Sequence, residues 1–244
     1  MKTLFPYGLD APPVVRNLLI AAGACLALVV VGKIDLFGVQ INGFQWPALG
    51  FAIGAASMAW SSAVGKLQRR DRLVDKLTWV GSEQVLDLGC GRGLMAIGVA
   101  KRLTTGHVTG IDLWQAEDLS GNEGAAVLVN AVREGVSGRV SVHTADMREL
   151  PFEANSIDVV VSATAIHNIY EVAGRDKAID EIARVLKPGG RVLIYDIRHT
   201  AQYAKRLADH GFAVEQAGPG LSGWFWRIVA FGTLNPGTLL ARTS

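Results

Sequence analysis

A chain of 244 residues, half of them hydrophobic and 19% charged, is long enough for one or two domains and far too apolar for a disordered segment. Its 24 basic and 22 acidic residues leave a formal charge of +2, with no basic footprint for nucleic acid. The cysteines Cys25 and Cys90, 65 positions apart, exclude both a disulfide framework and a cysteine-held metal cluster, and they fit a reducing compartment.

The hydrophobic excess sits at the amino-terminal end. Residues 17–32 are uncharged for sixteen positions and residues 36–65 for thirty. A bilayer core of about 30 Å needs roughly 20 apolar residues in a helix. Residues 44–65 meet that length, and the first run meets it when Val14 and Val15 are added and Arg16 snorkels to the headgroups. Lys33, Asp35, Asn42 and Gly43 form a short polar connection, so residues 1–65 are predicted to be a helical hairpin with two transmembrane spans. Trp46-Pro47 suits the start of the second helix, and the small pairs Gly23/Ala27 and Gly50/Gly54 offer faces for close helix approach. Lys66, Arg69, Arg70 and Arg72 follow directly, which places both hairpin ends on the cytoplasmic side of an inner or cytoplasmic membrane. A cleaved signal peptide over residues 1–32 lacks an A-x-A-like site after Val31. Packing of both helices as a lid on the following domain, or in an oligomer, stays open as the alternative.

Residues 66–80 read as a linker helix, and residues 81–244 change to short β-branched runs alternating with amphipathic segments, the pattern of α/β construction. Strands are predicted at 84–88, 107–112, 140–143, 157–162, 191–196, 212–216 and 225–231, and helices at 94–103, 122–134, 175–186 and 201–210. Strands such as DVVVS and RVLIYD are apolar almost throughout, as in a parallel sheet covered on both faces. Lys187-Pro188-Gly189-Gly190 is a turn between helix and strand. The last two predicted strands are joined by AGPGLSG, too short for a parallel crossover, so the final strand should run antiparallel.

The chemistry concentrates at three strand ends. VLDLGCGRG (85–93) runs from a strand through a glycine-rich turn into a helix; its spacing is G-x-G-x-G, and Leu94 occupies the third glycine position of a dinucleotide fingerprint. Asp87 beneath that turn suits a cationic ligand and opposes a pyrophosphate. Asp112 ends the next strand, where it is placed to accept hydrogen bonds from ribose hydroxyls; taken alone it reads rather as a helix cap or loop acid. Asp146 and Met147 follow the third strand, offering an acid for an amino group and an apolar flank for a ring. In an open α/β sheet these ends converge on one crevice.

Together, VLDLGCGRG, GID (110–112), TADMRELPF (144–152), SIDVVVSATAIHNI (156–169) and EIARVLKPGGRVLIYD (181–196) resemble the class I S-adenosylmethionine-dependent methyltransferases over roughly residues 79–233. The flavour is that of the small-molecule branch that includes ubiquinone/menaquinone-biosynthesis methyltransferases. The resemblance implies a Rossmann-like, seven-stranded, mostly parallel sheet with an antiparallel final strand. It also implies S-adenosyl-L-methionine as cofactor. Asp87, Gly89, Gly91 and Gly93 would hold its methionine end, Asp112 its ribose, and Asp146 with Met147 its adenine, with Leu113 and Ser162 completing the lining. Residues 163–168 would form the floor under the methyl group. The family's N/D-P-P-Y/F segment is replaced by SATA, which argues against adenine N-methylation of nucleic acid. The stretch 114–122 is longer and more polar than usual, and Trp114 or Asn122 is placed to contact the cofactor.

Methyl transfer from a sulfonium requires in-line alignment, and a base only where the nucleophile arrives protonated. His167, just past the fourth strand, and His199, just past Asp196 on the fifth, are the catalytic candidates; a loop histidine and a helix cap are the respective plain alternatives. Tyr170, Asp196, Arg198 and Tyr203 flank the same edge, and no metal site is expected. The expected function is a membrane-anchored methyltransferase of a small lipophilic acceptor such as a lipid or quinone precursor. The alternatives are a tethered methyltransferase of a water-soluble molecule and a non-catalytic cofactor-binding membrane subunit. Closure of the acceptor pocket by Phe5, Tyr7, Trp224 or Trp226 is left open.

Overall fold

Proline gives up no helical hydrogen bond in a first turn, and Pro12 with Pro13 opens α1 (Pro12–Val31), which ends at Gly32 in a positive-φ conformation. The computed structural model describes residues 5–32, 34–36, 39–114, 123–218 and 235–243, and the chain divides into two units, Met1–Gln68 and Arg69–Ser244. The division falls inside the predicted linker at 66–80.

In the first unit, α1 is followed by the short antiparallel pair β1 (Ile34–Leu36) and β2 (Val39–Ile41), then by α2 (Gln45–Trp60). A π-helical turn, Ser61–Gly65, joins α2 to α3 (Lys66–Val74), so that Gln45–Val74 is one continuous helix of 30 residues. Ala22, Ala48 and Ala55 are buried, and Leu18 meets Gly54. Gly23 and Gly50 face open space, so helix contact uses alanines and Gly54 rather than the small faces expected at Gly23 and Gly50. Leu19, Ile20, Leu26, Val30, Trp46, Leu49, Ile53 and Trp60 are exposed, leaving both helices apolar around their circumference. Lys66 is buried: its Nζ donates to the carbonyls of Tyr7 (3.1 Å) and Gly8 (3.0 Å) and lies 2.6 Å from Asp10 Oδ1. Ser62 Oγ accepts the Asp10 amide at 3.0 Å, which ties the segment ahead of α1 to the π turn.

In the second unit, β3 (Gln84–Leu88), β4 (His107–Asp112), β5 (Val140–Thr144), β6 (Ile157–Ala163), β7 (Leu186–Asp196), β8 (Ala213–Ala217) and β9 (Gly237–Arg242) form one sheet in the order β5-β4-β3-β6-β7-β9-β8. β9 alone runs antiparallel, between β7 and β8. The helices α4 (Leu94–Ala100), α5 (Gly124–Arg133), α6 (Val172–Val185) and α7 (Thr200–Asp209) connect the strands. Leu86, Val160, Ile194 and Leu239 are fully buried, consistent with strands whose apolar runs lack alternation. The chain leaves β3 toward β4 and β5 and returns to β6 on the other side, which makes the carboxyl ends of β3 and β6 the topological switch point.

Two expectations change. The strand expected at 225–231 lies outside the described residues, and the antiparallel final strand is Gly237–Arg242, paired from Gly237 against Asp196 to Arg242 against Arg191. Its sequence, GTLLAR, carries too few β-branched residues to announce a strand at a chain end. Lys187–Gly190 does not separate helix from strand: β7 already begins at Leu186, and the turn is a bulge across which pairing moves from Ile157/Leu186 to Val159/Arg191.

Candidate functional site

Gly89, Gly91 and Gly93 all take positive φ, which folds the chain between β3 and α4 back under Ile111, whose carbonyl accepts the amides of Gly89 (2.9 Å) and Cys90 (3.0 Å). At Gly89 the requirement is steric as well: a Cβ there would overlap the Cβ of Ala165 and stand 3.4 Å from Met147 Cε. That one backbone position brings together the ends of β3, the turn after β5 and the turn after β6.

Asp87 lies beneath this turn, buried, with Oδ2 accepting the Ala96 amide at 2.8 Å and Oδ1 lacking any hydrogen-bond partner. Burial pushes its carboxyl up to about 7, against the Ala96 hydrogen bond and with help from the Asp112 charge. Asp112 accepts the Gly91 amide on Oδ2 (2.8 Å) and the Trp114 amide on Oδ1 (2.7 Å), so it fastens the glycine turn to the end of β4. Leu113 beside it is half exposed. The Trp114 indole donates to Thr144 Oγ1 (2.7 Å) and packs on Gly124 at the start of α5; Asn122 lies outside the described residues.

Asp146 is gripped by its neighbour Arg148, whose Nε reaches both carboxylate oxygens at 3.0 Å; this pairing holds the Asp146 carboxyl below the usual carboxylate range. Ser162 is buried, and its hydroxyl donates to the Leu88 carbonyl at 2.9 Å, so its side chain locks β6 to β3 instead of facing the crevice. Burial and two nearby carboxylates push the Cys90 thiol well above its ordinary range, which makes it an inert packing group.

The turn after β6 carries His167 on a single 3-10 turn, Ile166–Asn168. Its Nδ1 lies 2.6 Å from Oδ1 of the buried Asp196, a close contact off the ideal hydrogen-bond direction, and its amide donates to Asp196 Oδ2 at 3.1 Å. Tyr203 reaches the same Oδ2 at 3.4 Å. His199 is the N-cap residue of α7, in a left-handed conformation with no side-chain cap hydrogen bond; partial desolvation, with Arg175 next, holds its imidazole below the ordinary histidine range. Buried Arg175 donates to the carbonyls of Ile169 (2.7 Å) and Tyr170 (2.8 Å) and to Gln202 (2.9 Å), pinning the His167 turn to α7. Sequence reading missed both Asp196 as the partner of His167, 29 positions away, and Arg175 as the pin, whose link to α7 through Gln202 spans 27 positions. Tyr7 belongs to the first unit, and Trp224 and Trp226 lie outside the described residues. Among the described residues, no three His, Cys, Asp or Glu side chains gather as metal ligands.

A glycine turn, two acids and an apolar thioether thus meet at the carboxyl ends of adjacent strands of an open α/β sheet, beside its switch point. Residues 86–194 match the family model of the methyltransferase domain. Over 138 residues the chain is 33% identical to the sterol 4-C-methyltransferase strm-1 of Caenorhabditis elegans, covering 57% of this chain and 38% of that one. It is 30% identical over 138 residues to the ubiquinone/menaquinone biosynthesis C-methyltransferase UbiE of Syntrophotalea carbinolica, covering 53% and 51%. These matches span about half or less of the curated relatives' own lengths. Geranyl diphosphate C-methyltransferase from Streptomyces coelicolor A3(2), solved with Mg2+, geranyl diphosphate and S-adenosyl-L-homocysteine, superposes with a TM-score of 0.60 at 15% identity, over 77% of this chain and 84% of that chain. Over residues 86–194 the chain is therefore similar to methyltransferase domains, and its likeness to the solved methyltransferases is one of fold.

Proposed function

We propose that the protein is a membrane-anchored enzyme that moves a methyl group from S-adenosylmethionine to a small lipophilic acceptor. The observation that carries the cofactor site is the junction at Gly89, where Ala165 and Met147 close on the glycine turn above the orphaned Oδ1 of Asp87. A buried carboxylate oxygen without a partner is unfavourable unless a positive group or donor meets it, and the methionyl ammonium and sulfonium are such groups.

When bound, the cofactor supplies an electrophilic methyl on sulfur. Asp87 and the Gly89, Gly91 and Gly93 turn hold its methionine end, and the Asp112 carboxylate, fixed by the Gly91 and Trp114 amides, holds the ribose. Met147 flanks the adenine, and Asp146 accepts from its amino group while paired to Arg148. Small side chains at Ala163 and Ala165 leave room for an acceptor to line up with the methyl group, and orientation alone supplies much of the rate.

The membrane reading is supported by the circumference of α1 and α2, where leucines, isoleucines, valines and tryptophans are exposed among the described residues. By length and composition, α1 and the continuous helix Gln45–Val74 are each sufficient to cross a bilayer. Lys66, Arg69, Arg70 and Arg72 follow the second apolar run directly, the basic flank that favours a cytoplasmic domain. A lipid-embedded anchor suits an acceptor that partitions into lipid, as a quinone precursor does.

Calorimetric titration of the detergent-solubilised chain with S-adenosyl-L-homocysteine tests the site. Wild type should bind, and Asp112→Ala should weaken binding by about 10-fold to 100-fold, the value of two charge-assisted hydrogen bonds. Equal affinity of the two proteins would refute the assignment.

A further inference from the structure

Asp196 is 1% exposed at the carboxyl end of β7, and among the described residues no lysine or arginine lies within ion-pair distance of it. Its carboxylate is met by four contacts: the Ile197 amide (2.8 Å) and His167 Nδ1 (2.6 Å) on Oδ1, and the His167 amide (3.1 Å) and the Tyr203 hydroxyl (3.4 Å) on Oδ2. Two of the four come from His167, so ring and backbone are held by one carboxyl group. His167 Nδ1 is buried, whereas Nε2 is neither buried nor hydrogen-bonded among the described residues.

We propose that Asp196 and His167 form a carboxylate–imidazole dyad that takes a proton from the methyl acceptor, and that the acceptor is therefore an aromatic or enolic hydroxyl compound. The inference rests on the methyl-transfer reading above and names its acceptor class. A buried carboxylate beside Nδ1 keeps the proton on that nitrogen and leaves Nε2 as the acceptor lone pair. Ala165, two residues before His167, packs on Gly89, so the turn bearing the imidazole lies against the cofactor turn itself. Arg175 fixes the far side of that turn through Ile169 and Tyr170. His199 lacks such an arrangement: no carboxylate lies within hydrogen-bond reach of its ring, and its side chain is exposed.

A neutral amine attacks with a free lone pair, and a thiol is partly ionised near neutral pH, but a phenol with a pKa of about 10 is not. A built base is of greatest use to the hydroxyl class. In the step, the hydroxyl proton passes to Nε2 and the acceptor forms its new bond to the methyl carbon, through oxygen or through the conjugated ring carbon. The carbon–sulfur bond breaks with its electron pair returning to sulfur. Asp196 balances the imidazolium charge as a positioning residue, and Tyr203 steadies the carboxylate.

The test uses the full chain in detergent, labelled with 15N in its imidazoles and saturated with S-adenosyl-L-homocysteine. His167 should show a protonated Nδ1 and a bare Nε2, and Asp196→Asn should shift the ring toward the opposite tautomer with homocysteine-product binding retained as proof of folding. Rates of labelled methyl transfer are then compared on 1-naphthol and on 4-nitrophenol in mildly alkaline buffer, where only the second is mostly ionised. His167→Gln should lower the rate on 1-naphthol by about 10²-fold to 10⁴-fold and the rate on 4-nitrophenol far less. A bare Nδ1 in wild type, or equal losses on both phenols, overturns the dyad. Label entering amine or thiol compounds of a host extract while both phenols stay unmethylated overturns the acceptor class. Absence of label in every fraction, with the product still bound, would count against the methyl-transfer reading itself, while the 15N signals decide the dyad on their own.

Discussion

Asp87 shows how a single buried side chain links the site to pH. Its carboxyl, pushed up to about 7 by burial, keeps in the folded chain a proton that the unfolded chain releases near pH 4. Between about pH 4 and pH 7 the folded state binds more protons than the unfolded one, so the stability owed to this group falls as pH rises through that window. Asp87→Asn should flatten the decline between pH 5 and pH 8, and saturating S-adenosylmethionine should shrink it in wild type by supplying positive charge. Urea unfolding of the three samples checks this, and parallel pH profiles would contradict it. Gly89→Ala places a Cβ into Ala165 at a φ of 66°, and it should cost about 1–3 kcal/mol and abolish detectable S-adenosyl-L-homocysteine binding. Unchanged melting and titration curves would show that Ala165 can withdraw.

At the scale of elements, Arg175 joins the turn after β6 to α7, and its removal should loosen one turn without dissolving the sheet. Arg175→Met leaves the Ile169 and Tyr170 carbonyls without their donor and should cost about 1–3 kcal/mol, with faster amide exchange confined to residues 164–170. Exchange rising equally across β3 and β6 would refute a local pin. In the first unit, Lys66→Met should free the segment ahead of α1 and speed its proteolysis, since the Tyr7 and Gly8 carbonyls lose their shared donor. The glycine turn, the strand ends at Asp87 and Asp112, and the limits of β3 and β4 were legible because they depend on local periodicity and on glycines with no other use. The strand Gly237–Arg242 was not, because the ladder to β7 stabilises it and its own composition contributes little. Similarly, Ser162 reads as a crevice residue from its position, yet burial turns its hydroxyl to Leu88. The Asp196–His167 pair spans 29 positions and appears only when β6 and β7 are side by side.

For the whole molecule, one chain holds an apolar two-helix unit and a domain similar to methyltransferases, the pairing from which we propose a lipid-soluble acceptor. The chain should stay in the membrane fraction through high-salt and alkaline carbonate washes, as a spanning hairpin does, and release by carbonate would favour helices folded onto protein. The most direct measurement incubates the solubilised chain with methyl-labelled S-adenosylmethionine and, separately, host lipid extract and host aqueous metabolites, with Asp112→Ala as the blank. Label appearing in the organic phase, absent from the blank, is the predicted result. Label confined to the aqueous or volatile fraction would reduce the hairpin to a tether, and no label in either fraction with S-adenosyl-L-homocysteine still bound would contradict catalysis outright.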